Sequence, residues 1–359
     1  MAPYRTPLFD EVSLISDFEV LYLLREDSSR LWDQSSQSLN HKYRFCDGRK
    51  VTITISGKKL SVNFSALHEL INSDFDVVLL LDDPENIITM FILLFVAKLK
   101  RKKVVLISPR YSYYVNASDS VLSKIFKLGI DVFRVPMYIF SDVVWTYSEH
   151  TAKLVSRFKS AGKIFSGFQG YPETLVPNVV INEDLISKRY NSKSIVFVGY
   201  ISERKGVDIL VEAINEFRRL TKKNIRLKLI GTGADKYLSY DWIDIAGYVS
   251  GREKFDLMGE SMFLCLPSHS DCWGWVVQEA QSIGLPVVTT KQVISSESLP
   301  SSKFVYDSSS VEQLVSLLVE IFTLDIDEYT TWVLESKRAS NSHTQRKFIE
   351  SFKEVAKNL

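Results

Sequence analysis

The chain has 359 residues, of which 44 are Lys or Arg and 43 are Asp or Glu, so its formal net charge at pH 7 is +1. A charge so balanced gives no global field that favours nucleic acid, and no nucleic-acid partner is predicted. The length exceeds what one core usually serves and the hydrophobic fraction is 45%, so two α/β domains are expected.

Features that report on the cellular compartment indicate the cytosol. Cys46, Cys265 and Cys272 lack disulfide or metal-ligand spacing, which suits a reducing environment. The opening residues lack the apolar core of a signal peptide. The most apolar run, residues 87–97, is shorter than the ~20 residues that a bilayer span needs. We therefore predict a cytoplasmic protein, or one attached peripherally to the cytosolic face of a membrane.

The first half of the chain alternates helical and strand patterns. A doubly wound domain normally opens with a strand and a glycine turn, but residues 4–17 predict a helix and only residues 17–24 a strand. The N-terminal domain is therefore predicted to lack its first strand. The other elements predicted here are a strand at 51–55, a helix at 64–72 with Asn63 as N-cap, a parallel βαβ unit at 76–81, 86–98 and 104–108, a helix near 118–128, a strand near 143–147 and a helix from 149.

A basic cluster, residues 98–103, lies at the C-terminal end of the helix in that βαβ unit. One interpretation is that its cations stabilise the helix dipole and solvate a turn. The other is contact with anionic lipid headgroups, reinforced by Lys124, Lys127 and Arg134 on the next segment.

Three further side chains are candidates for the acceptor side of a site. Arg110 and Tyr111 follow the strand 104–108, at a sheet edge where ligand groups gather. The alternative is that the aromatic residues of this segment only cover a loop. His150, just inside a predicted helix, is either a solvated or capping side chain or a functional group.

The second half begins after a polar stretch, residues 170–193, whose Pro172 and Pro177 indicate an interdomain linker. Apolar runs bounded by glycine or proline then predict buried parallel strands. The predicted strands are 194–199, 226–230, 242–247, 262–266 and 287–290, and the predicted helices are 207–220, a short one after Gly274, 311–322 and 345–358.

Two loops of this half carry groups that suit an anion. Lys205 and Gly206 lie at the start of a helix, where a cation, a permissive backbone and the helix dipole together suit a phosphate. A solvent-facing turn is the alternative. The second loop leads through Gly274 into a short helix, and Asp271 and Glu279 bracket its N-terminus with seven residues between them. Strands that repeatedly end in glycine, as at Gly231, place several turns on one sheet edge.

Taken together, these stretches resemble the nucleotide-sugar glycosyltransferases of the GT-B fold, and within them glycosyltransferase family 4. The resemblance is densest over residues 195–290, where Asp271 and Glu279 match the family's Glu-x7-Glu element. It implies two Rossmann-like α/β domains facing across a cleft. The corresponding division is 1–175 for the acceptor side, 176–341 for the nucleotide sugar and 342–359 for a C-terminal helix that packs back toward the first domain.

The resemblance also implies the roles of the residues. Glu279 would bind the ribose hydroxyls, Asp271 would bind sugar hydroxyls near the reacting carbon, and Lys205 would neutralise the leaving diphosphate. The donor would be a UDP- or GDP-sugar and the acceptor a glycan or a lipid-linked molecule. Transfer would retain the anomeric configuration without a metal or other cofactor. The remaining residues implied on the donor side are Arg204, Gly206, Gly231, Gly233, Trp273, Gly274, Trp275 and Val276.

Three positions depart from the family pattern. The first carboxylate is Asp271 rather than Glu, Tyr200 stands where an Arg is common, and residues 108–111 lack the usual His. An active glycosyltransferase and a catalytically degenerate partner subunit that retains the fold therefore both remain open. A glycosidase that uses Asp271 and Glu279 as acid and base fits poorly, because hydrolysis needs no phosphate-binding turns.

Overall fold

The computed structural model describes residues 4–23, 39–55, 57–109, 121–308 and 310–359. The chain forms two compact units. Unit 1 contains Met1–Pro172 and Thr344–Leu359, and unit 2 contains Glu173–His343.

Unit 1 contains a four-stranded parallel sheet of order β5-β6-β7-β8, a parallel pair β1-β2 and an antiparallel pair β3-β4. Its elements before the polar stretch are, in chain order, α1 (Thr6–Ile15), β1 (Glu19–Tyr22), β2 (Lys42–Phe45), β3 (Lys50–Ile55), β4 (Lys58–Asn63), α2 (Phe64–Asn72), β5 (Val77–Leu81), α3 (Ile87–Leu99), β6 (Lys103–Ser108), α4 (Val121–Phe140), β7 (Val143–Thr146), α5 (Glu149–Val155) and β8 (Ile164–Ser166).

Local chemistry explains several of these elements. The predicted N-cap is confirmed, because the Asn63 side chain accepts a hydrogen bond from the backbone N–H of Ala66 at 2.9 Å. The predicted parallel βαβ unit is also confirmed as β5, α3 and β6. Most of β6 is buried, as expected for a strand covered on both faces.

The helix predicted to end near Leu128 instead continues to Phe140 as α4, through Gly129 and Pro136. Both residues weaken a helix. The later part of α4 nevertheless buries Met137 and Tyr138 completely, so packing overrides the local propensity.

Unit 2 contains a six-stranded parallel sheet. Its elements are, in chain order, α6 (Glu183–Ser192), β9 (Ser194–Val198), α7 (Val207–Thr221), β10 (Arg226–Ile230), β11 (Ile243–Gly247), α8 (Gly251–Gly259), β12 (Phe263–Leu266), α9 (Trp275–Ser282), β13 (Val287–Thr290), β14 (Val305–Tyr306), α10 (Val311–Ile321) and α11 (Ile326–Ala339). The strand order is β11-β10-β9-β12-β13-β14, so the chain runs outward from β9 in one direction and from β12 in the other. That is the dinucleotide-fold order.

The linker interpretation of residues 170–193 is wrong for the ten residues of α6. Asn182 caps this helix by accepting from the backbone N–H of Leu185, and Glu183 and Asp184 lie in its first turn. The buried guanidinium of Arg189 donates to the carbonyl oxygens of Gly259 and Ile283 at 2.8 and 3.0 Å. A polar sequence thus contributes to the interior of unit 2, because buried carbonyl oxygens accept from its Arg189.

The last helix, α12 (Gln345–Lys357), belongs to unit 1. Its Ser351 hydroxyl accepts a hydrogen bond from the indole Nε1 of Trp145 at 2.8 Å, and its Phe348 ring stacks on Trp145 with centroids 5.3 Å apart. Trp145 and Phe348 are both completely or almost completely buried. A residue of β7 and the helix α12 therefore share one core.

Candidate functional site

The topology of unit 2 predicts where a ligand binds. β9 and β12 are neighbours in the sheet although the chain leaves them in opposite directions. Open α/β sheets bind ligands outside the carboxyl ends of the strands at such a switch point. The two loops that flank it are residues 199–206, after β9, and residues 267–274, after β12.

These two loops are bonded to each other. The backbone N–H of His269 donates to the carbonyl oxygen of Arg204 at 2.9 Å, and the Arg204 guanidinium donates to the carbonyl oxygen of Ser270 at 2.6 Å. Arg204, predicted to bind the donor, therefore holds the second loop against the first.

Gly206 lies against the second loop and precedes α7. It has φ +66°, and a Cβ placed there would lie 2.1 Å from the carbonyl oxygen of Pro267. Only glycine combines this left-handed backbone with so close an approach. The contact places Lys205, one residue earlier, beside the loop after β12.

Replacing Gly206 by alanine should therefore destabilise unit 2 by more than the ~1–2 kcal/mol cost of a left-handed alanine alone. Gly247→Ala is the matched control, because Gly247 has φ +71° and a Cβ placed there would have no atom within 4 Å. Hydrogen exchange of the β9 and α7 amides would measure both changes. Equal losses of protection in the two variants would contradict the argument from the Pro267 carbonyl.

Gly231 and Gly233, which follow β10, also let their backbone approach the backbone of the neighbouring loop closely. A Cβ at Gly231 would lie 1.9 Å from the carbonyl oxygen of Gly199, and one at Gly233 would lie 2.7 Å from that of Ile201. Packing between neighbouring turns thus explains both glycines without a ligand. Their predicted role in donor binding stays a prediction.

Lys205 and Asp271 meet across the switch point. The Lys205 ammonium donates to the Asp271 carboxylate, and their side chains are only 14% and 11% exposed. Burial alone raises the pKa of Asp271, but the charges of Lys205 and Arg204 outweigh it and hold that pKa below its usual value. The site therefore contains a carboxylate that stays ionised and a cation fixed beside it.

Gly274 ends the second loop and begins α9 with φ +85°. A Cβ there would lie 2.9 Å from a methyl carbon of Val293, so the turn is closed by packing. Trp275 and Val276 form the first turn of α9, whose N-terminus faces the carboxyl edge of the sheet. A helix N-terminus offers backbone N–H donors and the positive end of a dipole to an anion.

Trp273 is a buried part of this loop, at 1% exposure. Its ring lies against that of His343, with centroids 4.8 Å apart. Burial lowers the pKa of His343 to about 4, so this imidazole is neutral at physiological pH. Within the described residues the indole nitrogen of Trp273 has no hydrogen-bond partner. Trp273 is therefore packed against His343 and presents no face to solvent.

Glu279 lies on α9 and pairs with a residue that the sequence did not indicate. Its Oε1 accepts from the Lys254 ammonium at 2.8 Å, and the side chains are 12% and 18% exposed. Lys254 lies on α8. Ser250 and Glu253 show the Ser-x-x-Glu spacing that marks a helix start, so a sequence signal for α8 was present.

The acceptor-side candidates are only partly described. Arg110 and Tyr111 lie outside the described residues. His150 is the second residue of α5, and its side chain is exposed. Its functional role stays a prediction.

Arg134 is not the surface cation that the lipid interpretation assumed. Its guanidinium Nε donates to Asp82 Oδ1 at 2.7 Å, and the side chains of Arg134 and Asp82 are 2% and 0% exposed. The hydroxyls of Ser108 and Tyr138 donate to Asp82 Oδ2 at 2.9 and 3.0 Å. Arg134 is therefore part of a buried polar network at the ends of β5 and β6.

Most of the basic cluster is also engaged by protein groups. Lys98 and Lys103 pair with Asp142 at 2.5 and 3.8 Å, and Lys102 pairs with Asp74 at 3.1 Å. Lys100 donates to backbone carbonyl oxygens in the last turn of α2 and just after it. Among the helices of the described residues, none combines the length and the hydropathy of a membrane-spanning segment. The same described residues contain no group of three or more His, Cys, Asp or Glu side chains placed to hold a metal ion.

Comparison with known sequences matches part of the chain. Residues 192–323 match the family model described as glycosyl transferases group 1. A Haemophilus influenzae protein described as an uncharacterized glycosyltransferase is 25% identical over 194 residues, or 50% of this chain and 53% of that protein. The gpi3 subunit of phosphatidylinositol N-acetylglucosaminyltransferase from Schizosaccharomyces pombe is 25% identical over 167 residues, or 43% of this chain and 36% of that protein. The chain thus matches about half of the first relative and about a third of the second.

Solved structures match more of the chain at lower identity. Sucrose-phosphate synthase from Thermosynechococcus elongatus has a TM-score of 0.73 and 12% identity, covering 99% of this chain and 92% of that one. Anabaena HepE, solved in complex with UDP and glucose, has a TM-score of 0.60 and 16% identity, covering 79% and 78%. At these identities the likeness shows the fold alone, and the predicted GT-B fold is confirmed.

Proposed function

We propose that the protein transfers a sugar from a nucleoside diphosphate to an acceptor. The premise is that the chain has the GT-B fold and that its residues 192–323 match the glycosyl transferases group 1 family model. The observation that carries the proposal is the position of Lys205 and Asp271. They meet from the two loops that flank the switch point of unit 2. Anabaena HepE, of the same fold, was solved with UDP and glucose.

The chemistry follows from the charges of these groups. When the bond between sugar and diphosphate breaks, negative charge develops on the leaving phosphate. A cation already fixed nearby stabilises that charge without reorganising. Lys205 supplies the cation, and the N-terminus of α9 supplies backbone N–H donors beside it. Because these groups can compensate the charge, we propose that the donor binds without a metal or other cofactor.

The two carboxylates then have different tasks. Asp271, held by Lys205, accepts hydrogen bonds from hydroxyls of the transferred sugar. Glu279 accepts from the ribose diol, since one carboxylate can accept two hydrogen bonds from neighbouring hydroxyls. The relative affinities for UDP and GDP would identify the base of the donor.

The same geometry disfavours a glycosidase. Such an enzyme needs one carboxyl group with a raised pKa to act as general acid. Lys205 and Arg204 instead hold the pKa of Asp271 low, and Glu279 forms an ion pair with Lys254. Asp271 is therefore unsuited to the role of general acid.

The proposal also includes the stereochemistry of transfer, which is retention of the anomeric configuration, and the kind of acceptor. Retention is supported by the resemblance to family 4, and NMR of the product's anomeric proton would test it. The acceptor is proposed to be a glycan or a lipid-linked molecule. The gpi3 subunit named above belongs to an enzyme whose name specifies phosphatidylinositol.

A catalytically degenerate partner subunit is the second candidate. Tyr200, at the position where family 4 commonly has Arg, is 66% exposed and cannot supply a cation. One relative is itself described as a subunit. Such a protein would retain nucleotide binding without turnover.

Isothermal titration with UDP and GDP, followed by an assay of donor hydrolysis, separates these candidates. We expect one nucleotide to bind and its sugar donor to be hydrolysed slowly. Lys205→Ala and Glu279→Ala serve as controls and should weaken both signals. Binding without turnover under broad acceptor screening would favour the partner subunit, and absence of any nucleotide binding would reject the proposal.

Peripheral membrane contact from the cytosolic side is part of the same proposal. With Arg134 buried, its support is an exposed stripe on α4 beside the exposed Lys124. Apolar residues spaced three or four apart lie on one helix face. The stripe residues are Val121, Ile125, Leu128 and Val132, each more than half exposed. Co-sedimentation with phosphatidylserine vesicles would test this contact.

A further inference from the structure

The ion pair between Lys254 and Glu279 differs from the surface pairs of unit 2. Its side chains are 18% and 12% exposed, whereas those of Lys236 and Asp208 are 54% and 55% exposed. Exposed pairs contribute little because water and salt screen them. A pair withdrawn from water holds its geometry more firmly, since each charge loses its compensation if the other moves.

The pair also joins two separate parts of the carboxyl edge. Lys254 lies on α8, which follows β11, and Glu279 lies on α9, which follows β12. The strands β10 and β9 separate β11 from β12 in the sheet. Lys254, whose helix follows the edge strand β11, thus contacts Glu279, the carboxylate proposed to bind the ribose.

We propose that Lys254 is a positioning residue that presents the Glu279 carboxylate to the ribose diol of the donor and so sets the preference for ribonucleotides. The inference rests on the proposed function. A glutamate side chain that is free to rotate must be ordered when the ligand binds, and this ordering weakens binding. Lys254 fixes one carboxylate oxygen before the ligand binds, so the side chain of Glu279 is already ordered in the folded protein.

This role differs from a structural one in what it predicts. A pair that only joined α8 to α9 would change stability and would affect all nucleotides alike. A positioning role concerns the hydroxyls that Glu279 accepts from. Its loss should weaken the binding of a ribonucleotide more than that of the 2′-deoxy analogue.

The test compares UDP or GDP, whichever the full chain binds more tightly, with its 2′-deoxy analogue by isothermal titration. We expect Lys254→Met to weaken the ribonucleotide about tenfold, the scale of one lost hydrogen bond to a charged group. The 2′-deoxy analogue should change less than about threefold, and Lys254→Arg should restore most of the preference, because it keeps the charge.

Lys228→Met is the matched control. Lys228 lies on β10 of the same unit and pairs with Glu260, the residue that follows α8. Lys228 is 15% exposed, close to the 18% of Lys254, and its partner Glu260 is 49% exposed. It should leave the ratio of the two affinities unchanged. If Lys254→Met does not fold, Lys254→Gln, which keeps a hydrogen-bond donor without the charge, takes its place and should show an intermediate ratio.

The outcomes separate this inference from the proposed function. Absence of nucleotide binding by the unaltered chain rejects the proposed function. If the unaltered chain binds and prefers the ribonucleotide but the Lys254 variants keep the same ratio, only the inference fails. Equal weakening of both nucleotides would also overturn it, because it would show a structural role.

Discussion

Lys205→Met is expected to lower donor turnover by about 10²–10³-fold, the typical effect of removing one preorganised group that stabilises transition-state charge. The loss should fall mainly on kcat, because the charge that Lys205 offsets grows as the leaving phosphate departs. The measurement is initial-rate hydrolysis of the UDP- or GDP-sugar, with binding of the nucleotide followed separately.

The variant also removes the partner of the buried Asp271, so a second change is needed to interpret it. Lys205→Met combined with Asp271→Asn relieves the unpaired charge and should remain as slow as the single variant. Lys236→Met is the control, because Lys236 pairs with Asp208 on the surface of the same unit and should leave turnover unchanged. Because Asp271 is itself proposed to bind the sugar, hydrogen exchange of the β9 and β12 amides tests the folding of the single variant separately. Lost protection of these amides in Lys205→Met would show that the loss of turnover came from misfolding.

Arg134→Met should destabilise unit 1 by about 3–5 kcal/mol, the cost of removing one partner of a buried ion pair. Burial lowers the pKa of Arg134, but the Asp82 carboxylate outweighs it and raises that pKa above its ordinary value. Asp82 would keep its two hydroxyl donors, Ser108 and Tyr138, but lose the guanidinium that pairs with it. Hydrogen exchange of the β5 and β6 amides reports the change, since the two units need not unfold together.

Lys42→Met is the matched control in unit 1, because Lys42 pairs with Asp17 through side chains that are 72% and 86% exposed. It should produce no detectable change. Replacing Arg134 and Asp82 together by Met and Leu should recover much of the loss, since an apolar pair leaves no buried charge. Unchanged protection in Arg134→Met would mean that solvent reaches Asp82.

The elements predictable from the sequence are those with a strong local pattern. β9 and β12 are apolar runs buried along most of their length, and burial of both faces is what produces such runs. Asn63 caps α2 because its side chain reaches the N3 amide, a relation confined to four residues. By contrast, β2 is Lys-Tyr-Arg-Phe, with three exposed residues, so no apolar signal marks it. Its pairing with β1 depends on tertiary contacts.

The candidate site divides in the same way. Lys205, Gly206 and Asp271 stand beside glycine turns and strand ends, where composition indicates an anion site. The partner of Glu279 lies 25 residues away along the chain, on a helix whose polar sequence was not identified. Which cation pairs with which carboxylate depends on the order of the strands, and local hydrophobic periodicity does not predict that order. The ion pairs of Lys254 and Arg134 could therefore not be predicted, because both depend on the order of the strands.

The core shared by Trp145 and α12 has a consequence for the order in which the protein is made. Domains generally fold as units during synthesis, the N-terminal one first. Unit 2 is one continuous segment, whereas unit 1 needs residues from 344 onward to cover Trp145. As the ribosome delivers the chain, unit 2 can complete its core first. The domain that is translated earlier therefore finishes later, because the contacts of Trp145 with Phe348 and Ser351 cannot form until α12 emerges.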